Sequence, residues 1–227
     1  ITKQTLRGGD SLLDVTIVDP ATSFDTSGQG NAFELTGDAG ITFKDETTAG
    51  ATITGGWDGI RVAIDNADST GDITINAVNV EGGDNGIQAN NIGTGDLIIT
   101  TTGLVSTANN NPRFGIVANI GCSNDTVPKK FEDCKNKKDN STGDITIIAA
   151  NTTGKSGGIV ARNYGIGTIS ITTTGTTKGE IGSGISAVNK GKGALSITTT
   201  GKTTGTSGYG IRAINCCTGA LSITTTG

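Results

Sequence analysis

The chain has 227 residues, 37 of them Gly, with no His or Met, one Trp, two Tyr and a formal net charge of −4. That balance argues against nucleic acid or an anionic membrane as partner, and the missing His removes Ser–His triads, His metal sites and zinc-protease motifs. Abundant Thr, Ile, Val and Gly favour many short strands joined by tight turns.

No apolar run approaches the ~20 residues of a membrane span. Four Cys without any His fit an oxidising, exported setting better than a zinc site. No signal peptide is present, so Ile1 is expected to be a mature or trimmed start.

Residues 1–29 do not fit the repeat that follows, and Ile1 to Asp58 carries nine acidic against three basic residues. A solenoid needs a polar cap over its open core, so 1–29 are expected to form the N-terminal cap. Within them, Gly9-Asp10-Ser11-Leu12 matches the start of the GDSL esterase motif. With no His to act as general base, the match is taken as coincidence.

From residue 30 onward a period of about 26 residues takes over. Gly-Ile pairs stand at Gly59-Ile60, Gly86-Ile87, Gly115-Ile116, Gly158-Ile159, Gly184-Ile185 and Gly210-Ile211, with spacings of 27, 29, 43, 26 and 26. Asn31-Ala32-Phe33 is an earlier, degenerate turn. After each marker comes a second strand, at Asp72-Ile-Thr-Ile, Asp96-Leu-Ile-Ile, Asp144-Ile-Thr-Ile, Thr168-Ile-Ser-Ile, Ala194-Leu-Ser-Ile and Ala220-Leu-Ser-Ile. Two strands and a weaker third per period predict an all-β, right-handed, three-sided parallel β-helix over 30–227. Propeller blades need a longer repeat, and the Gly and Thr content rules out helical ones.

Period-2 alternation sends Ile60/Val62/Ile64, Ile87/Ala89/Asn91, Ile116/Ala118/Ile120, Ile159/Ala161/Asn163, Ile185/Ala187/Asn189 and Ile211/Ala213/Asn215 inward. In the second strand Leu97/Ile99/Thr101, Ile169/Ile171/Thr173, Leu195/Ile197/Thr199 and Leu221/Ile223/Thr225 do the same. About seven rungs at ~4.8 Å give a rod of roughly 34 Å. Asn163, Asn189 and Asn215 are expected to be an internal ladder with amides bonded along the stack rather than a binding row. Thr172, Thr198 and Thr224 form an outward Thr ladder. Asp72, Asp96 and Asp144 recur at one turn, where Asp is locally favoured, and are read as turn residues rather than a catalytic cluster. Gly227 falls in the middle of a repeat with no cap, so the chain is expected to be a fragment.

The spacing of 43 contains an insertion of roughly fifteen residues, beginning near Gly121-Cys122 and running to Asn140. Within the inserted loop 121–140, Lys129 to Lys138 carries five Lys against Glu132 and Asp133. A basic, aromatic-containing loop on an acidic rod is the natural place for recognition. The receptor-binding candidates are Lys129, Lys130, Phe131, Lys135, Lys137 and Lys138, with Arg113 and Phe114 nearby. A Cys122–Cys134 disulfide would close a short loop and contribute ~3 kcal/mol in the chain-entropy model. Cys216 and Cys217 sit at the equivalent turn three coils on, ~14 Å away and beyond direct bridging of Cys122. They are expected to be free or vicinally bridged. The alternative is a loop that folds down to pair Cys134 with Cys216 or Cys217.

The repeated Thr-Gly-Asp-Ile-Thr-Ile and Gly-Ile-x-Ala-x-Asn…Gly-x-Leu-Ser-Ile-Thr-Thr-Thr-Gly units resemble the passenger domain of a Gram-negative type V autotransporter. They look most like the Bartonella passengers, including the secreted pro-angiogenic ones, over roughly residues 30–227. The close Cys pair is similar too, since such passengers tolerate only small disulfide loops during export. The resemblance implies export through the periplasm to the cell surface or medium, after cleavage of a signal peptide and release from a C-terminal β-barrel. It also implies a virulence role as a ligand of the vascular endothelial growth factor receptor on host endothelium, with angiogenesis as outcome. No catalytic residue, metal or cofactor is expected. A self-associating adhesin and, further off, a polysaccharide-degrading β-helix are the alternatives.

Overall fold

The computed structural model describes residues 4–18, 23–48, 50–108, 113–121 and 141–227. They contain twenty-one strands and no helix. The first coil is β1 (Gln4–Gly8), β2 (Leu13–Ile17) and β3 (Phe24–Thr26). The second is β4 (Phe33–Gly37), β5 (Ile41–Asp45) and β6 (Ile53–Gly55), and the third β7 (Ile60–Ile64), β8 (Ile73–Ala77) and β9 (Val80–Gly82). In the fourth and fifth, β10 (Ile87–Asn91) and β12 (Phe114–Ile120) make the first face, while β11 (Leu97–Thr107) and β13 (Ile145–Gly154) each run through both remaining faces. The sixth is β14 (Gly157–Asn163), β15 (Ile169–Thr173) and β16 (Thr177–Gly179). The seventh is β17 (Ile185–Asn189), β18 (Leu195–Thr199) and β19 (Thr203–Gly205), and β20 (Ile211–Asn215) and β21 (Leu221–Thr225) begin an eighth.

Every first-face strand pairs in parallel with its counterpart one coil away, and so do the strands of the other two faces. The chain is therefore a three-sided parallel β-helix of about seven turns. Like stacks on like: Ile87 on Ile60, Ile116 on Ile87, Ile185 on Ile159 and Ile211 on Ile185. The outward row Ile148, Thr172, Thr198, Thr224 is in register as well. The inward triplets expected from alternation are buried through the seventh coil. In the eighth, no rung lies over β21, and Leu221 and Ile223 are 50% and 47% exposed.

Within 1–29 the described residues do fit the repeat, unlike the expectation: β1, β2 and β3 pair in register with β4, β5 and β6 and form its first coil. Their inward residues Leu6, Leu13, Val15 and Phe24 pack against the core. Phe24, Phe33 and Phe43 meet edge to face at 5.0 and 5.1 Å, a geometry that suits the ring quadrupoles.

The Gly-Ile marker has a steric cause. At the corner from the third face to the first, Val80, Val105, Thr152, Thr177 and Thr203 aim a methyl group at Gly59, Gly86, Gly115, Gly158 and Gly184. A Cβ on Gly158 would stand 2.8 Å from Thr177 Cγ2 and 2.7 Å from the Gly184 carbonyl oxygen. Real Cβ atoms do not approach so closely, so the rungs would have to part. We expect Gly158→Ala to destabilise the fold by about 1–3 kcal/mol in denaturant unfolding, the usual cost of overpacking. Gly28→Ala, where a Cβ meets nothing within 4 Å, should be neutral or slightly stabilising.

Candidate binding edge

The corner from the first face to the second is built around an inward Asn. Asn189 Nδ2 donates to the carbonyls of Gly193 in its own coil (3.0 Å) and Gly167 in the coil below (3.1 Å), and its Oδ1 accepts from Gly191 N–H (3.0 Å). Asn163 does the same with Gly143 (2.9 Å) and Gly165 (2.9 Å), and Asn91 with Gly71, Gly95 and Gly93. The Asn ladder is therefore internal, as expected, but its bonds go elsewhere. The amides do not bond one another; they satisfy turn carbonyls that burial would otherwise strand.

Asp72, Asp96 and Asp144 line the same corner. Asp72 Oδ1 accepts from Asp96 N–H at 2.8 Å, Asp96 Oδ1 from Asp144 N–H at 2.8 Å, and Asp144 Oδ1 from Thr168 N–H at 2.7 Å. Each carboxylate thus ties its turn to the next coil. Among the described residues no three His, Cys, Asp or Glu converge as metal ligands.

The insertion leaves from this corner. Its base on one side is Gly121, at φ 81°, whose N–H donates to Asn91 O at 2.8 Å. On the other side is Ser141, buried, with Oγ donating to Gly93 O at 2.6 Å and its carbonyl accepting from Ile166 N–H at 2.8 Å. In the next coil Tyr164-Gly165 runs on without interruption where Gly121 and Ser141 stand, and Tyr164 N–H donates to Ile120 O at 3.1 Å. Residues 122–140 thus have no counterpart in the next coil, a stretch slightly longer than the spacing suggests, and the residues on either side of it, Gly121 and Ser141, are held in the rung. Lys129, Lys130, Phe131, Lys135, Lys137, Lys138, Cys122 and Cys134 lie outside the described residues.

Arg113 and Phe114 are not at the base of that excursion. They stand at the opposite end of β12, at the corner from third face to first, roughly 20 Å away at ~3.3 Å per residue. Arg113 Nε lies 3.6 Å from Asp84 Oδ1, an ion pair within the rod. The Phe114 ring packs over Gly157, leaving it half-buried. Its backbone N–H ends a second ladder: Asn31 Oδ1 accepts from Asp58 N–H, Asp58 Oδ1 from Asn85 N–H, and Asn85 Oδ1 from Phe114 N–H.

Cys216 and Cys217 do lie on the insertion's edge, three coils on. They are unbonded, exposed thiols with Sγ atoms 3.1 Å apart, both donating to the Lys190 carbonyl, at 3.0 and 3.4 Å. The neighbouring thiol and burial raise the pKa of Cys216. The residues the sequence reasoning missed are those between: Arg162, Tyr164, Lys190, Lys192 and Arg212. They occupy ordinary repeat positions and show only when the coils are laid in register.

No family model, curated protein or solved structure matches this chain.

Asp58 gives a pH test of the ladder. Burial raises its pKa, and the hydrogen bonds from Asn85 and the charge of Arg61 offset this only in part. A carboxylate held above its ordinary pKa contributes fully at low pH and loses stability as pH rises through its folded value. Asp58→Asn keeps an acceptor for Asn85. We expect it to be more stable than the wild type near neutral pH, with the difference shrinking to nothing as both are taken below the ordinary carboxylate range in parallel thermal melts.

Proposed function

We propose that this chain is an exported bacterial β-helix of the autotransporter-passenger type and acts as a non-enzymatic ligand of a host-cell receptor. The vascular endothelial growth factor receptor is the candidate carried by the repeat resemblance. The observation that supports the reading best is the corner at Gly121 and Ser141. The strands before and after the lysine-rich stretch stay in register with their neighbours, Phe114 on Gly157 and Leu97 on Ile145. A rod of this kind holds a recognition loop at a defined place without spending core residues on it.

The mechanism follows from charge and position. Five lysines within Lys129–Lys138 stand on a chain of net charge −4. They steer an acidic receptor surface to one edge, raising the association rate and fixing the orientation of docking. Phe131 supplies the apolar anchor such an interface needs. Arg113 and Phe114 stand at the other end of β12 from Gly121, and the proposed contact is built on the lysines and Phe131.

The test is a variant with Lys129, Lys130, Lys135, Lys137 and Lys138 all changed to Glu. In a protein with unchanged circular dichroism, we expect affinity for the receptor ectodomain to fall by about tenfold or more, with most of the loss in the association rate at low salt. Unchanged affinity would remove the loop assignment.

A further inference from the structure

Trp57 is the only Trp of the chain and is 62% exposed. It stands at the corner from third face to first, between β6 and β7. Its backbone is pinned from both sides. The N–H donates to Gly30 O at 3.0 Å in the coil before, and the carbonyl accepts from Asp84 N–H at 2.6 Å in the coil after. The indole itself stays in water.

The backbone around it is bare. Gly28 and Gly30 lie in the coil before, Gly55 and Gly56 precede Trp57 in its own coil, and Gly82 and Gly83 lie in the coil after. Gly56 N–H bonds Thr26 O at 3.1 Å and Gly83 N–H bonds Gly55 O at 2.9 Å, so backbone is laid directly on backbone. A Cβ on Gly56 would stand 2.7 Å from the Ser27 carbonyl oxygen. None of these glycines has a side chain to shield the ring. The polar groups stand along the same column. Asp84 is the next rung after Trp57, and Arg113 the one after that, as Ile116 follows Ile87 and Ile87 follows Ile60. Arg113 Nε lies 3.6 Å from Asp84 Oδ1, and both side chains are partly exposed.

Burying an exposed indole is favourable, and its size limits what can do so. One Trp buries ~150–250 Å², far short of the ~800 Å² that each protein partner contributes to a stable interface. The glycines beside it cannot extend the contact. The charges of the corner are matched in place, Asp84 by Arg113 and Asp58 by Arg61 at 3.7 Å, so it favours neither a polyanion nor a polycation. A small uncharged ligand with one apolar face and a polar rim fits these limits. A pyranose ring has that form. Its C–H face lies flat on an indole, a carboxylate accepts from its hydroxyls, and a guanidinium donates to them.

We propose that this corner binds an uncharged sugar, with the ring laid on Trp57 and the hydroxyls held by Asp84 and Arg113. The site uses none of the residues 122–140, and it stands or falls independently of the receptor reading.

Because Trp57 is the only Trp, tryptophan fluorescence of the whole chain reports this site directly. The titrants are lactose, cellobiose, chitobiose and maltose, with glycerol as the control for a bulk polyol. At least one sugar is expected to give a saturable blue shift and to protect the indole from acrylamide quenching. Asp84→Asn should weaken that sugar about tenfold, the loss of one charge-assisted hydrogen bond. Trp57→Ala, which alters an exposed side chain and leaves the core untouched, should abolish retention on the same sugar immobilised, and Trp57→Phe should restore part of it. No response to any of the sugars, a response matched by glycerol, or full retention by Trp57→Ala would overturn the proposal. A blue shift on phosphatidylcholine vesicles with no response to sugar would also overturn it and make the indole a membrane contact.

Discussion

Each coil must turn three corners, and each corner buries backbone groups that water cannot reach. That constraint shapes the rest of the molecule. At the first corner the Asn side chains at 91, 163, 189 and 215 supply the missing donors. At the second, Asn79 and Asn151 accept from Leu104 and Thr176 of the following coil. At the third, Asn31, Asp58 and Asn85 do so in sequence. A short amide or carboxylate suits the task because it reaches its own turn and the adjacent coil at once. Each coil is thereby tied to its neighbour rather than to a common centre, which is how a solenoid stays cooperative with few side chains buried per rung.

The same regularity decides where recognition can sit. Flat faces stacked at ~4.8 Å are committed to pairing, and their inward residues are committed to the core. The corners remain, and they are not alike. The corner from third face to first is crowded by methyl groups against glycine, and its charges are matched within the rod. The corner from first to second face lets the chain out at Gly121, whose N–H stays bonded to the Asn91 carbonyl.

Much of this was legible from the residues. Period-2 alternation placed Ile60, Ala89, Ile116, Asn163 and Asn189 in the core because successive side chains on a strand have no other choice of side. Residues 1–29 were not legible. The marker pair is absent there: Gln4 stacks on Phe33, and three Phe rings fill space that Ile and Thr fill later. Arg113 stands far from Gly121, the point where the chain leaves the rung, because sequence distance ignores an extended strand. β12 carries the chain from one corner to the next, so seven residues separate two edges of the rod. Arg162 was invisible for a different reason. Its outward position holds Asn, Val and Ile in neighbouring coils, and only stacking reveals that it faces Val188 and shares a surface with Arg212.

The central claim is that the solenoid is complete without residues 122–140 and that those residues carry the contact. Joining Gly121 directly to Ser141 recreates a corner of the same length as Tyr164-Gly165 in the next coil. The decisive measurement is thermal unfolding of that deletion variant alongside its binding to the receptor ectodomain. The account predicts the β-sheet spectrum of the parent, a melting temperature within a few degrees of it, and binding reduced to background. A variant that fails to fold, or one that folds and binds as the parent does, would contradict it.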